Sequence, residues 1–522
     1  MSSEVVETRD GPDEAPAAAQ TQAHVDAERV ESAGISGNFF DKYVATLNSL
    51  DPIKATGVVT RVQGLMVESR GPIAVLGEVC QIISSSHQQA RWAEVVGLDG
   101  LTVKLMTLGE MAHIEIGDAV VATGKSLTVP VSDRLLGRVL DCMGRPIDSR
   151  GDVGSADWRS IFASPPPVME RAPIRQRMTT GVRSIDGLLT VGKGQRVGIF
   201  SGSGVGKSTL LGMIARNTSA EVNVVALVGE RGREVREFIE SDLGEEGLRQ
   251  SVVVASTSDE PPLARLRAAF VATTVAEHFR DQGKDVMLLF DSVTRVARAQ
   301  REIGLAVGEP PAHRGYTPSV FAMLPRLLER SGSAVSGSIT AFYTILVEGD
   351  DMDDPIADNV RGVLDGHIVL SRSLAERGHY PAVDVLQSVS RLAPKVSPAE
   401  NLTSASRIKA LLATYAAAED LIDVGAYVPG TNPEIDEAIE RRPHINTFLQ
   451  QGGEEAAADA DTDHGLQLAA GMAAPVVDEA ALSSPVGPAP DSVAAVLAAG
   501  GVVASAAGAE SRAQADAGEE AR

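Results

Sequence analysis

The stretch VGIFSGSGVGKSTL, residues 197 to 210, puts a lysine and two hydroxyls directly behind a run of glycine and serine. An apolar strand followed by such a run turns the backbone sharply and aims its N–H groups at oxygen anions. In Ser201, Gly202, Ser203, Gly204, Val205 and Gly206, the glycines at 202, 204 and 206 are expected to supply the strained angles. Lys207 then lies against the β and γ phosphates of a nucleotide, Ser208 ligates Mg²⁺, and Thr209 completes the Lys-Ser-Thr start of the following helix. The usual pattern opens on Gly or Ala; this chain has Ser201, which is small enough to fit.

Two carboxylates extend this from binding to hydrolysis. Asp291 ends the apolar run VMLLFD, where it can reach Mg²⁺, often through water. Glu230 ends a second buried run, VNVVALVGE, and can orient or deprotonate an attacking water. Arg231 beside it could contact the same phosphate, whereas Glu234 lies in a charged stretch that reads as a solvated face. Tyr380 precedes a proline, so the chain there stays extended and the ring could stack on a purine. Arg391 follows a serine-rich run and reads either as an arginine offered across a subunit boundary or as a surface salt bridge.

The elements that must position these residues follow from pattern. VGIF, VNVVALVGE, SVVVAST, VMLLFD, ITAFYTIL and GHIVLS are short runs, apolar on both faces, alternating with amphipathic stretches, as in a mostly parallel sheet covered by helices. Upstream, from Thr56, short β-branched segments between Gly, Asp and Pro signals predict a small β-barrel. Ahead of the barrel, Phe40, Tyr43, Val44, Leu47 and Leu50 fall at helical spacing, which suits either intramolecular packing or docking to a partner. After Pro398 the pattern is helical. The fold class is therefore α/β, divided as an acidic disordered tail (1–37), a docking helix plus β-barrel (38–122), a nucleotide-binding domain (123–394), a helical domain (395–452) and a second disordered acidic, Ala/Gly-rich tail (453–522).

Charge narrows the function further. The net charge is −23, of which the first 37 residues carry −6 and residues 451–522 carry −10, which argues against a sequence-independent grip on nucleic acid. Cys80 and Cys142 form no CxxC or Cys/His pattern, which leaves disulfide frameworks and zinc sites unsupported and suits a reducing cytoplasm. The acidic N-terminus does not read as a signal peptide, and the late apolar run Val493 to Ala509 reads as too short and weakly apolar to span a bilayer.

In order along the chain, SGSGVGKST, VGERGREV, LLFDSVTR, GYTPSV, EGDDMDDPIAD and PAVDVLQSVS resemble the rotary-type ATPases related to the catalytic subunits of the F- and V-type ATP synthases. TTGVRSIDGLLTVGKGQRVGIF and GEPPAHRGYTPSVFAMLPRLLERSG are similar to the type III protein export ATPases, the flagellar branch above all. That resemblance spans about 40 to 450 and implies a RecA-like core that hydrolyses ATP with Mg²⁺. It implies roles by position: Lys207 and Ser208 for phosphate and Mg²⁺, Glu230 as catalytic carboxylate, Asp291 for Mg²⁺-bound water, Tyr380 for adenine, and Arg391, with Arg361 as alternative, for the neighbour's site. It further implies a homohexamer, a regulatory, stator-like partner at the 39–50 stripe, a central stalk, export chaperone–substrate complexes and an export gate. The location implied is cytoplasmic, at the inner face of the membrane at the flagellar base. Rival readings are a virulence-type secretion ATPase, an RNA-translocating ring and a regulatory subunit without turnover; the last would be expected to lack Glu230.

Overall fold

The computed structural model describes Val44 and residues 56–84, 90–347, 351 and 353–473. The expected tail at 1–37, the rest of the 40–50 stripe and the chain beyond 473 lie outside the described residues.

Six strands, β1 (Thr56–Gln63), β2 (Met66–Arg70), β3 (Glu78–Ile83), β4 (Ala90–Asp99), β5 (Thr102–Thr107) and β6 (Ala119–Ser126), close into an antiparallel barrel of order β1-β2-β5-β4-β3-β6. Closure removes the open edges, and alternation turns Val59, Val67, Cys80, Ile82, Val95, Val103, Leu105 and Val120 inward as its core. The barrel is fastened to the next domain by a buried ion pair in which Arg267 Nε donates to Glu94 at 2.6 Å. A buried pair of this kind fixes register because neither charge can be left alone.

The second domain is built on β7 (Val139–Leu140), β8 (Arg196–Ser201), β9 (Val222–Glu230), β10 (Ser251–Thr257), β11 (Asp285–Asp291), β12 (Ser338–Leu346), β13 (Gly366–Leu370) and β14 (Val383–Ser390). They lie in the order β14-β13-β8-β12-β11-β9-β10-β7, with Gly332–Ser333 paired to β12 off this path. Every pair along that order is parallel except β13 with β14, so HYPAVDVLQSVSR supplies an antiparallel edge strand. All nine residues of β9 are buried, because helices cover both faces. Among these helices are α1 (Lys207–Asn217), α2 (Pro262–Asp281) and α3 (Val293–Val307). Parallel strands bring all their C-terminal ends to one edge, which is where such sheets place ligands.

Three further helices follow: α4 (Ala399–Asp423), α5 (Pro433–Leu449) and α6 (Asp459–Ala469). The last corrects the expectation of a structureless tail from 453: ordered structure continues to Ala473. Composition misleads here because α6 is held by tertiary contacts rather than propensity. Leu466, Ala469 and Ala470 are buried, and Arg177 pairs with Asp459 at 3.3 Å and Asp463 at 2.8 Å.

Candidate functional site

At the C-terminal edge of the sheet, β8 ends at Ser201 and α1 begins at Lys207. Gly204 (φ 77°) and Gly206 (φ 87°) occupy the left-handed region; Gly202 does not, so two of the three glycines carry the turn rather than all three. Ser203, Ser208 and Thr209 are exposed, whereas Ser201, Gly202 and Val205 are buried beneath them. The loop therefore presents its hydroxyls and the free N–H groups of an eleven-residue helix to solvent, an arrangement suited to phosphate.

Lys207 points across the loop to the two expected carboxylates. Its Nζ donates to Asp291 Oδ1 at 2.6 Å and lies 3.6 Å from Glu230 Oε1. Asp291 ends β11, is buried and also accepts from Thr344 Oγ1 at 2.7 Å, so a neighbouring strand holds it in place. Glu230 ends β9 beyond a bulge: the register with β10 shifts between Val228 and Glu230, and Gly229 takes φ 72° there. Arg295, on the first turn of α3, donates to Glu230 Oε2 at 2.9 Å, while Oε1 has no hydrogen-bond partner among the described residues and is left facing Lys207.

Burial, and after it the charge of Asp291, push the Glu230 carboxyl above its ordinary range; Lys207 and Arg295 act the other way. Such an upward displacement moves a carboxylate toward the strength a general base needs. Partial burial raises the Glu234 carboxyl, but the neighbouring Glu230 and the bonds from Arg231, whose Nη1 donates to Glu234 Oε1 at 2.7 Å, outweigh it and hold Glu234 below the usual range. The expected solvated face at Glu234 is in fact a half-buried position, paired with Arg231 three residues earlier.

Arg231 is turned elsewhere. It caps the short helix Gly232–Glu237, donates to Glu234 Oε1 at 2.7 Å and is three-quarters exposed, so it reaches the cluster only through Glu234. Tyr380 is brought to the phosphate loop: its ring carbon Cε1 is 3.4 Å from the position a Cβ on Gly206 would occupy, while 46% of the residue stays exposed. Arg391 is not brought there. Its N–H bonds Asp365 O, Asp365 N–H bonds Arg196 O, and Arg196 starts the strand that Ser201 ends, about 17 Å further along at strand spacing. Arg391 is exposed at that opposite edge, and no ion pair joins it to a described residue. Arg361 shares its neighbourhood: His367, held low mainly by burial, also feels the charges of both arginines. Arg361, however, donates to Asp358 at 2.9 Å.

Sequence reasoning missed Thr344 and Arg295. Thr344 carries no signal of its own, since it sits inside an apolar run; Arg295, four residues beyond Asp291 in LLFDSVTR, was recognisable as one helical turn from the strand end. For Mg²⁺, the donor set fits: a hydroxyl at Ser208 and a carboxylate at Asp291 are hard oxygen ligands, and a cation that keeps waters and takes phosphate oxygens needs few protein ligands.

Residues 181–390 match the nucleotide-binding domain of the ATP synthase alpha/beta family, residues 59–124 its beta-barrel domain, and residues 397–467 the C-terminal domain of the T3SS EscN ATPase. The flagellum-specific ATP synthase of Treponema pallidum (strain Nichols) is 57% identical over 431 residues, covering 83% of this chain and 96% of that protein. The assembled ATPase EscN from the enteropathogenic E. coli type III secretion system superimposes with a TM-score of 0.76 at 47% identity, over 79% of this chain and 100% of that one. EscN in complex with its central stalk EscO gives 0.74 at 46% identity, with the same coverage.

Proposed function

We propose, for a chain that belongs to the ATP synthase alpha/beta family and within it to the flagellum-specific and type III secretion ATPases, that each ATP site is completed by a neighbouring subunit. The chain is an ATP-hydrolysing type III export ATPase, and its greater identity to the flagellum-specific relative supports the flagellar branch. One observation carries the proposal: Lys207, Glu230 and Asp291 converge at one edge of the sheet, while Arg391 stands exposed at the other.

In this reading the phosphate loop, residues 201–209, and Lys207 hold the triphosphate, and Lys207 exchanges its bond to Asp291 for the phosphates. Glu230 accepts a proton from the attacking water, or orients it, as the bond from Pγ to the bridging oxygen breaks. Arg295 holds Glu230 by its second oxygen, leaving Oε1 for the water. Tyr380 covers the adenine. A neighbour's Arg391 stabilises the charge on the transferring phosphoryl group. Ser208 and Asp291 would hold Mg²⁺, which would supply charge neutralisation on the phosphates.

In this reading the chain forms a hexameric ring with a central stalk, supported by the relative EscN, whose structures are of the assembled ATPase and of its complex with the central stalk EscO. The remaining partners are proposals from kinship: a regulatory subunit at the 39–50 stripe, export chaperone–substrate complexes and the export gate. Among the described residues no helix is long and apolar enough to cross a membrane. A cytoplasmic position against the inner face of the membrane fits that kinship.

Mixed rings test the shared site. Arg391→Ala alone is expected to lose about 10³-fold in turnover. Co-assembled with Lys207→Ala subunits it should regain activity, because some interfaces then join an intact loop to an intact arginine. Absence of any regain at every mixing ratio sinks the trans role.

A further inference from the structure

Tyr380 belongs to the connection between β13 and β14, and its loop is bonded mostly to itself: His379 N–H to Leu374 O, Gly378 N–H to Ala375 O and Ser371 N–H to Ala382 O. Among the described residues, the backbone bond that reaches Tyr380 from outside this loop comes from Gln451, whose N–H donates to Tyr380 O at 3.0 Å. Gln451 stands two residues past the end of α5 and is only 5% exposed. Its side chain uses both ends. Oε1 accepts from Arg183 N–H at 2.9 Å, and Nε2 donates to Gly181 O at 2.8 Å and Glu455 O at 2.8 Å.

A buried amide satisfied on every side has one orientation, because turning it over would set donor against donor and acceptor against acceptor. The segment it anchors also lies on the phosphate-loop helix: Arg216 donates to Gly453 O at 2.6 Å, and Thr209 Cγ2 is 3.5 Å from the position of a Cβ on Gly453. The far side of the segment continues into α6, which Arg177 clamps through Asp459 and Asp463.

We propose that Gln451 is a positioning residue for nucleotide affinity: its amide locks the 450–455 segment so that Tyr380 is held over Gly206, joining the C-terminal helices to the base-binding side of the site. The proposal rests on the reading of Tyr380 as the adenine contact. Gln451 itself bonds Tyr380, Arg183, Gly181 and Glu455 and no residue of the phosphate loop, so its direct effect falls on the base side, and a ligand that has phosphates and no base measures what reaches α1 through Gly453. Movement of α5 or α6 would be transmitted to ATP affinity through Tyr380, with Glu230 and Asp291 on strands that the segment does not bond.

The test compares ATP with inorganic tripolyphosphate, which has the phosphates and no base, on the full-length protein. Gln451→Ala, and Gln451→Met as a variant of the same length that retains packing, should raise KM for ATP about tenfold with kcat within about twofold. Competitive inhibition by tripolyphosphate should be unchanged. In a Tyr380→Ala background, the Gln451 substitutions should add nothing to KM. Equal weakening of ATP and tripolyphosphate would mean general damage to the site and would overturn the proposal. So would an unchanged ATP KM in both Gln451 variants while Tyr380→Ala alone raises it, an outcome that leaves the adenine reading standing. If Tyr380→Ala itself leaves KM unchanged, the adenine reading fails and this inference fails with it.

Discussion

The two ends of the central sheet solve opposite problems. At the C-terminal edge, charges are crowded and at least half-buried: Lys207, Asp291, Glu230 and Arg295, with the hydroxyl of Thr344, hold one another across five elements. At the opposite edge Arg391 is exposed, and its charge is felt by the half-buried His367. A buried charge must be paired within its own chain, whereas an exposed arginine can wait for a partner. The difference teaches how one polypeptide serves two sites. On the proposed reading, groups that must be preorganised for chemistry are fixed inside the subunit, and the arginine proposed to serve a neighbour's site is left outside it.

The largest expected effect falls on the crowded end. Glu230→Gln keeps the size of the side chain and its bond from Arg295 but removes the proton acceptor. Steady-state hydrolysis should drop by about 10³-fold or more while Mg-ATP binding, read by equilibrium titration, stays within a few-fold. Near-normal turnover would remove Glu230 from the mechanism and with it the contrast between the two ends.

Next in size is Gly229→Ala. A Cβ there would stand 2.9 Å from Arg295 Cδ, and φ of 72° is a conformation that alanine resists. The strain costs about 1–2 kcal/mol, and moving Arg295 off Glu230 should lower kcat by about tenfold beyond what the stability loss explains. Thermal melting and kinetics on the same preparation separate the two. A lower melting point with unchanged kcat would show that Arg295 packs against the bulge without organising catalysis.

The contrast between the edges also explains what the sequence revealed. The phosphate loop and both carboxylates were legible because each sits at the end of an apolar run, where strand chemistry stops abruptly. The parallel sheet was legible for the same reason, since strands buried on both faces leave unbroken apolar segments. What escaped depended on which side chains meet across elements. Thr344 lies inside a strand, and the pairing of Arg231 with Glu234 is made across a helix start that a run of charges does not single out. α6 was hidden by an Ala/Asp-rich composition whose order comes from Arg177, 282 residues upstream of Asp459 in neither pattern nor period.

A smaller effect distinguishes the two arginines of the exposed edge. Arg361 donates to Asp358 three residues earlier on its own helix and is about a third exposed. An intrahelical surface pair of that kind contributes about 0.5 kcal/mol. Arg361→Ala should therefore leave turnover within about twofold, against the large loss at Arg391. Equal losses at both positions would assign the intersubunit role to the pair rather than to Arg391 alone.

The smallest effect is expected back at the crowded end, at Ser201. Its hydroxyl is buried, lines a cavity of about 160 Å³ with Gly202, Ser371, Arg372 and Gln387, and has no hydrogen-bond partner among the described residues. A buried hydroxyl without a partner is a desolvation cost with no return. Removing it in Ser201→Ala should leave stability equal or raise it by up to about 1 kcal/mol, with hydrolysis within about twofold. Only small side chains fit below the loop, so alanine introduces no clash that could disguise the result. A fall in kcat would instead mean that Ser201 finds its partner in the nucleotide complex. The polar groups of that edge would then be incomplete within the chain, as Arg391 is, and the two ends of the sheet would differ in degree rather than in kind.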